Sequence, residues 1–168
     1  MIALVQTIIA VCAAALQAAV SAEPPATQKA ERTFILRPIG EVRTEGDRTM
    51  IVLDKRYQPG LLGLDGFSHI HVLWWFDRND TPHQRAILQV HPRGDSSNPL
   101  TGVFATRAPV RPNLIAMSLC RIIAIRENVI EIDKIDAFDG TPVLDIKPYA
   151  PGLDTATAPK VPAWAKPK

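Results

Sequence analysis

The first 22 residues of this chain contain no charged side chain, and cysteine is scarce throughout the sequence. The two cysteines of the 168-residue chain are Cys12 and Cys120. If the N-terminal segment is removed, one thiol remains, which excludes an intrachain disulfide. Stability must then come from a packed core, and a chain of this length buries enough apolar surface to fold as one domain.

Strong charge of either sign is also missing, because the formal net charge is +2. A balance this close to neutral provides no strong attraction to nucleic acid or to anionic lipid. The sequence has no Gly-rich strand-to-helix motif, no internal repeat and no amphipathic helix of ordinary length. The usual α/β dinucleotide-binding pattern is therefore excluded.

Residues 1–22 predict a signal peptide that directs the chain out of the cytoplasm, to the periplasm or beyond. Val20 and Ala22 occupy the −3 and −1 positions of a small-residue cleavage site before Glu23. Three alternatives remain open: an uncleaved membrane anchor, a lipoprotein signal that uses Cys12, and a wrong start codon, which would leave the protein cytoplasmic. No other segment predicts contact with a membrane.

The composition divides the chain into four parts. Residues 1–22 form the leader, and the polar residues 23–33 form a linker. Residues 34–155 form one β-rich domain, and residues 156–168 form an extended tail rich in proline and alanine. Short apolar segments separated by turn residues predict an all-β barrel or sandwich. The predicted strands are 33–36, 49–53, 69–76, 87–90, 114–125, 129–135 and 143–146.

Charged and amide side chains cluster beside Gly or Pro at the ends of three predicted strands. Loops that a rigid sheet holds in place commonly carry binding and catalytic residues. Taken alone, each cluster is better explained by turn formation, because Asp-Gly and Asn-Pro pairs also mark chain reversals. The clusters span residues 91–99, 102–113 and 139–149.

Taken together, the clusters carry a specific set of motifs. Residues 103–107 read Val-Phe-Ala-Thr-Arg, residues 111–113 read Arg-Pro-Asn, and residues 139–149 read Asp-Gly-Thr-Pro-Val-Leu-Asp-Ile-Lys-Pro-Tyr. With residues 38–42 and 63–70, these motifs resemble the TsaA-like (TrmO-type) family. The founding activity of that family is the methylation of threonylcarbamoyl-adenosine in tRNA with S-adenosylmethionine.

The resemblance implies a small single-domain β-barrel of short antiparallel strands that forms a homodimer. S-adenosylmethionine is the implied cofactor, bound by loops at the strand ends near the subunit interface, and tRNA is the implied partner. The positions that match the family's cofactor-binding segments are Asp77, Arg78, Arg107, Asn113, Asp145, Ile146, Lys147 and Pro148.

Two side chains are candidates for catalysis, Asp145 and His91. A carboxylate at position 145 can accept the acceptor's proton or bind the ribose, and Arg107 can hold the methionine carboxylate bidentately. Positioning does most of the remaining work, because the sulfonium is already an activated methyl donor. The candidates on the substrate side are Arg93, Asp95, Asn98 and Arg111.

The chain departs from the family pattern at three places. Leu114 and Ala116 stand where the family usually has Pro and Gly, which predicts a less pre-organised loop at residues 111–113. Asp77 stands where relatives often have His, and the connection at residues 43–49 is shorter than in tighter relatives. An exported relative also meets little tRNA or S-adenosylmethionine. The alternative function is therefore a non-catalytic exported module that binds an anionic or nucleoside-like ligand.

Two histidines lie two residues apart on one predicted strand, so His69 and His71 share a face. With His91 they supply the residue types of a zinc site. A core histidine beside an ordinary strand position is the favoured interpretation, and no metal is predicted. Cys120 lies within an apolar strand, which predicts a buried and unreactive thiol.

Overall fold

The computed structural model describes residues 32–166. The predicted leader and most of the predicted linker lie outside the described residues. Every described strand belongs to the compact unit that begins at Leu36. In chain order the strands are β1 (Gly40–Glu45), β2 (Arg48–Leu53), β3 (His69–Trp75), β4 (Gln89–Val90), β5 (Thr101–Gly102), β6 (Ile115–Arg126), β7 (Val129–Ile132) and β8 (Pro142–Pro148).

Six of these strands close into an antiparallel barrel in the order β1-β2-β7-β6-β3-β8. The other two, β4 and β5, pair with each other in a separate small sheet. The predicted all-β barrel of short antiparallel strands is therefore confirmed. The longest strand is β6, which pairs with β3 along its N-terminal half and with β7 at its C-terminal end.

Alternation of apolar residues along the strands builds the core of the barrel. On β3, Ile70, Val72 and Trp74 point inward and are at most 6% exposed, whereas the residues between them are half-buried on the outer face. On β6, Cys120 is fully buried as predicted, and burial raises the pKa of its thiol to about 12. The other buried apolar residues of this core are Val42, Ile51, Leu53, Ala116, Ile130, Ile132 and Val143.

The predicted strand at residues 33–36 is wrong, because the described chain has no strand before β1. The segment has the β-branched and aromatic composition of a strand, but a strand also needs a neighbouring strand to pair with, which composition alone does not provide. Conversely, β1 was not predicted, because Val42 is its only fully buried residue and charged Glu41 and Arg43 flank it. Hydrogen bonding to β2 and β8 stabilises this strand instead.

Helices in the described part of the chain are short. The α-helices are Pro82–Ala86 and Pro151–Asp154, and the connection between β2 and β3 contains the 3₁₀ segments Lys55–Leu61 and Leu64–Gly66. Within residues 32–166, no helix has both the length and the apolar character needed to cross a membrane.

A tight turn joins β6 to β7, and Arg126 pairs with Val129 across this hairpin. In this turn Glu127 adopts a φ of 53°, in the left-handed region that favours glycine. We therefore expect Glu127→Gly to raise the free energy of unfolding by about 1 kcal/mol. Glu45→Gly, at an exposed strand end of ordinary φ, should instead lower it by about 0.5–1 kcal/mol. Urea unfolding measures both, and destabilisation by both substitutions would contradict the argument.

Candidate functional site

A cavity of about 930 Å³ lies alongside the N-terminal half of β6. This size is at the upper end of the range for small-molecule sites. Its other walls are the loop after β3, the loop before β6 and the loop between β7 and β8. Four of the predicted site residues line this cavity, namely Asp77, Arg78, Arg107 and Arg111.

The free edge of β6 forms one wall of the cavity. This strand pairs with β3 along its N-terminal half, but it pairs with β7 only from Ile122 onward. Alternate residues of an antiparallel strand bond to opposite sides, so Ile115, Met117 and Leu119 direct their backbone groups away from β3. Arg107 Nη1 donates to one of these groups, the carbonyl oxygen of Met117, at 3.4 Å.

Two aromatic side chains at the end of β3 also line the cavity. Trp74 Nε1 donates to Ser118 Oγ at 3.1 Å, and the Trp74 ring meets the Phe76 ring edge-on, with centroids 4.7 Å apart. Because Trp74 is 6% exposed and hydrogen-bonded, its ring is fixed in place. The pair gives the cavity a rigid apolar surface against which part of a ligand can pack.

Hydrogen bonds within the loop before β6 hold its two arginines. Thr106 Oγ1 donates to Val103 O at 3.0 Å, and Arg111 Nη2 donates to the same carbonyl at 3.2 Å. Val103 is 1% exposed, so it anchors the turn in the core. The guanidinium groups of Arg107 and Arg111 therefore lie at one wall of the cavity.

Arg85, which the sequence analysis did not identify, ties two walls of the cavity together. Its Nη1 donates to Pro112 O at 2.9 Å, and its Nε donates to Asp80 Oδ1 at 2.7 Å. Asp80 also accepts from Trp75 Nε1 at 3.1 Å. The hydrogen bond from Arg85, followed by that from Trp75, holds the pKa of Asp80 below its ordinary value.

We expect Arg85→Ala to raise the pKa of Asp80 toward its ordinary value, because the largest cause of the depression is removed. A lowered folded-state pKa stabilises the protein above the unfolded-state pKa, and that contribution is lost as the pH falls through the folded value. The variant should therefore lose less stability than the wild type below about pH 4.

Carbon-detected NMR titration of the carboxyl groups measures the pKa of Asp80 directly. Arg85→Lys is the matched control, because it keeps the positive charge and should retain part of the depression. If the Asp80 pKa is the same in Arg85→Ala as in the wild type, the ion pair does not connect these walls in solution.

Leu114 and Ala116, two departures from the family pattern, are both packed against neighbouring strands or loops. Leu114 is fully buried, and its carbonyl oxygen accepts from Phe76 N at 2.9 Å. Ala116 of β6 is 6% exposed and pairs with Trp74 of β3, and its φ is not positive. Core packing and the Arg85 contact hold the loop before β6, and position 116 needs no glycine because its φ is not positive. The lower pre-organisation of the loop stays a prediction.

The predicted site residues around Asp145 do not line the cavity, and they lie on the opposite side of β3 from it. Asp145, Ile146 and Pro148 line a cleft of about 370 Å³ together with residues of the connection between β2 and β3. Lys147 Nζ donates to Asp145 Oδ2 at 2.8 Å, and this contact raises the pKa of Lys147. Within residues 32–166, no residue lines both the cavity and the cleft.

A third group of predicted residues lies on the loop between β4 and β5. His91 Nδ1 lies 2.7 Å from Asn98 O, and the Asn98 amide donates to a carbonyl of the same loop at 3.0 Å. Asp95 Oδ1 accepts from the Ser97 hydroxyl and backbone N–H, which lowers the pKa of Asp95. The predicted residues that line neither the cavity nor the cleft are His91, Arg93, Asp95, Asn98, Asn113 and Lys147.

The histidines of β3 belong to the outer face of the barrel. The rings of His69 and His71 both contact Tyr149, with centroids 6.3 and 5.8 Å away. His71 Nε2 also lies 3.4 Å from Asp154 Oδ1. In the part of the chain that the structure describes, no three His, Cys, Asp or Glu side chains are grouped as a metal site.

The loop between β7 and β8 contributes a further wall of the cavity, which none of the sequence motifs indicated. Lys134, Asp136 and Phe138 line the cavity, and the Arg78 guanidinium carbon lies 3.6 Å from the centroid of the Phe138 ring. One feature of the sequence indicates that a further segment covers β6, because the N-terminal half of this strand carries apolar residues on both faces. A strand of that kind is typically covered on both sides.

Comparison with known proteins identifies the family. The family model described as the tRNA-methyltransferase O N-terminal domain matches residues 36–155. The chain belongs to the TrmO family. The resemblance found in the sequence is therefore confirmed, and the match covers the barrel, the cavity and the cleft.

Relatives of known name share most of the TrmO-family domain. The chain is 47% identical over 121 residues to a probable S-adenosyl-L-methionine-binding protein of Methanocaldococcus jannaschii, which covers 72% of this chain and 96% of that protein. It is 40% identical over 98 residues to the tRNA (adenine(37)-N6)-methyltransferase of Mus musculus, covering 58% of this chain and 22% of the mouse protein.

A solved structure shares the same barrel. The crystal structure of TrmO from P. aeruginosa matches with a TM-score of 0.64 and 30% identity, over 83% of this chain and 65% of that one. The chain thus spans about two thirds of the length of the solved TrmO protein.

Proposed function

We propose that this TrmO-family protein binds S-adenosylmethionine and catalyses methyl transfer to an amino nitrogen of a nucleobase in RNA. The observation that carries the proposal is the cavity, in which the motif residues Asp77, Arg107 and Arg111 meet at one apolar surface. The names of the archaeal and mouse relatives, an S-adenosylmethionine-binding protein and a tRNA adenine methyltransferase, support the same conclusion.

The residues around the cavity suit the groups of this cofactor. Guanidinium groups such as Arg107 and Arg111 bind a carboxylate bidentately. The carboxylates of Asp77 and Asp136 line the same space and attract a cationic centre. The rings of Trp74 and Phe76 provide apolar surface, so one cavity holds matching partners for the charged and the apolar parts of the molecule.

The protein's tasks in the reaction are positioning and proton removal. When bound, S-adenosylmethionine supplies a methyl carbon whose bond to sulfur breaks as the acceptor nitrogen bonds to it. The rigid walls hold the reacting groups in line and close together, which is a large part of the rate enhancement. Asp145 is the candidate to bind the ribose of the cofactor or to accept the proton that the acceptor nitrogen releases, and His91 remains a second candidate for the proton.

We propose further that the active form is a homodimer. Arg107 lines the cavity on one side of β3, whereas Asp145 lines the cleft on the other side. No residue of the described chain lines both spaces, and β3 lies between Asp145 and Met117, the residue that Arg107 contacts. Pairing of the cavity of one protomer with the cleft of its partner joins the two halves into one site.

Calorimetric titration with S-adenosylmethionine tests the proposed function. The wild type should bind in the micromolar range, and Arg107→Ala should weaken binding by about 10-fold or more, since a hydrogen bond to a charged group is lost. Arg126→Ala, on the hairpin remote from the cavity, is the matched control and should bind normally. Transfer of labelled methyl to unmodified tRNA then tests the acceptor. Absence of binding at millimolar cofactor refutes the proposal.

Export is a separate proposal, based on the uncharged residues 1–22, which lie outside the described residues. We expect the mature protein to begin at Glu23, and the intact mass of protein purified from its native host checks this. An exported chain that binds S-adenosylmethionine but methylates no RNA supports the alternative, a binding module for a nucleoside-like ligand. A mass that includes residues 1–22 contradicts cleavage.

A further inference from the structure

An exposed aromatic ring stands at the rim of the cavity. Phe138, in the loop between β7 and β8, is 58% exposed although it lines the cavity. Singly exposed apolar residues are ordinary on a protein surface, but this ring differs from the more exposed Phe104 because it also lines the cavity. No motif of the sequence analysis included this residue.

The backbone around Phe138 is fixed. Thr141 N donates to Phe138 O at 3.1 Å, and Thr141 itself is 1% exposed. The next residue along the chain, Asp139, accepts from Thr44 N at 2.9 Å, and Gly140 N donates to Val42 O at 2.8 Å. The ring is therefore carried by a turn that is bonded to the barrel.

One face of the ring already has a partner. The guanidinium carbon of Arg78 lies 3.6 Å from the ring centroid, close enough for a cation–π interaction. Arg78 belongs to the loop after β3, so this contact joins two walls of the cavity. Because Arg78 covers one face and the residue is still 58% exposed, the second face is open.

The charge on Arg78 determines which ligand group suits the open face. A second cation on the opposite face is repelled by the guanidinium, so the sulfonium of the cofactor is disfavoured there. A flat neutral group loses nothing to this repulsion and gains stacking with the ring. Of the parts of S-adenosylmethionine, only the adenine ring is flat and neutral.

We propose that the open face of Phe138, opposite the Arg78 guanidinium, stacks on the adenine of S-adenosylmethionine. The proposal rests on the proposed function for the identity of the ligand. It adds a specificity determinant, because a stacking ring favours cofactors that carry a purine over sulfonium compounds without one.

Titration with S-adenosylmethionine and with S-adenosylhomocysteine tests the stacking. Phe138→Leu should weaken the binding of both by about 10-fold or more, the usual effect of removing an aromatic partner from one base. Phe138→Tyr and Phe138→Trp should bind close to the wild-type value, because they keep a π face. Phe104→Leu is the matched control, since Phe104 is 80% exposed but does not line the cavity.

Wild-type affinity in Phe138→Leu, while the wild-type protein binds the cofactor, overturns the stacking proposal and leaves the proposed function intact. NMR titration with adenosine alone further distinguishes failure of the stacking proposal from failure of the proposed function. If adenosine shifts the Phe138 ring resonances and S-adenosylmethionine does not bind, the proposed function fails and the purine site remains. If neither ligand binds the wild type, both proposals are refuted.

Discussion

Co-expression of Arg107→Ala and Asp145→Ala chains is expected to restore S-adenosylmethionine binding to about a quarter of the sites, although each variant alone binds poorly. The expectation follows from the separation of the two residues in one copy. Arg107 lines the cavity beside β6, and Asp145 lines the cleft beside β8. A site made from the cavity of one protomer and the cleft of its partner needs both residues, but not from the same chain.

The expected fraction follows from two-fold symmetry. Random association of equal amounts of the two variants makes about half of all dimers mixed. In a mixed dimer, one composite site carries both substitutions and the other carries neither. About half of the sites in half of the dimers are therefore intact, whereas dimers of either variant alone contain no intact site.

A mixture of Arg107→Ala and Arg111→Ala is the matched control. Both residues line the same cavity, so every site of their mixed dimer keeps one substitution and no recovery is expected. Differential tags on the two chains allow the mixed dimer to be isolated, and calorimetry then counts its sites. Recovery in neither mixture, in a protein that light scattering shows to be dimeric, contradicts the composite site.

The Asp145 variant also changes the charge near the proposed interface. Asp145 accepts a hydrogen bond from Lys147 at 2.8 Å, and this contact raises the pKa of Lys147. Removing the carboxylate frees an exposed ammonium group, which introduces one uncompensated positive charge. Asp145→Asn keeps the shape and part of the hydrogen bonding, so its comparison with Asp145→Ala separates the charge effect from loss of contact.

Local patterns predicted most of the barrel. The alternation of β3 places Ile70, Val72 and Trp74 inward, and the apolar run around Cys120 predicts a long buried strand. Both patterns are properties of neighbouring residues, so they are readable without knowledge of the fold. The strand β1 was missed for the same reason, since only its partners hold it in place.

The cavity was only partly predictable, because its walls come from distant parts of the chain. Motif resemblance identified Arg107 and Arg111 on one wall, but Arg85 and Phe138 lie outside the motifs. Arg85 acts through a carbonyl 27 residues away, at Pro112. Contacts of that kind depend on the closed barrel, and no local spacing in the sequence indicates them.

The separation of Asp145 from Arg107 illustrates a second limit on predicting the site from the sequence. Both lie in motifs of the same family, and the sequence analysis assigned both to one cofactor site. The chain places them on opposite sides of β3, because β6 and β8 are its two neighbours in the barrel. Strand order, which decides this, is a property of the whole fold rather than of either motif.

Gly40→Ala is expected to lower the free energy of unfolding by about 3 kcal/mol, the upper end of the cost of overpacking a well-packed site. A Cβ atom at position 40 would approach the backbone of β2, with Leu53 Cα 2.7 Å away and the Val52 carbonyl oxygen nearer still. Both are backbone atoms, so no side-chain rotation relieves the clash. Glycine at this position of the family motif is therefore required by space and not by a positive φ.

The position of Gly40 makes the clash costly. Gly40 pairs with Leu53 of β2 and with Val143 of β8, so it lies where β1 closes the barrel. Displacing β1 weakens hydrogen bonding on both sides and disturbs two buried core residues at once.

Gly60→Ala is the matched control, because a Cβ at position 60 meets no atom within 4 Å. Its effect should be within about 0.5 kcal/mol of zero, as for most exposed substitutions. Urea unfolding followed by tryptophan fluorescence measures both variants. Equal stabilities of the two alanine variants would mean that β1 shifts without loss, and that the barrel closes less tightly at this seam than the contacts indicate.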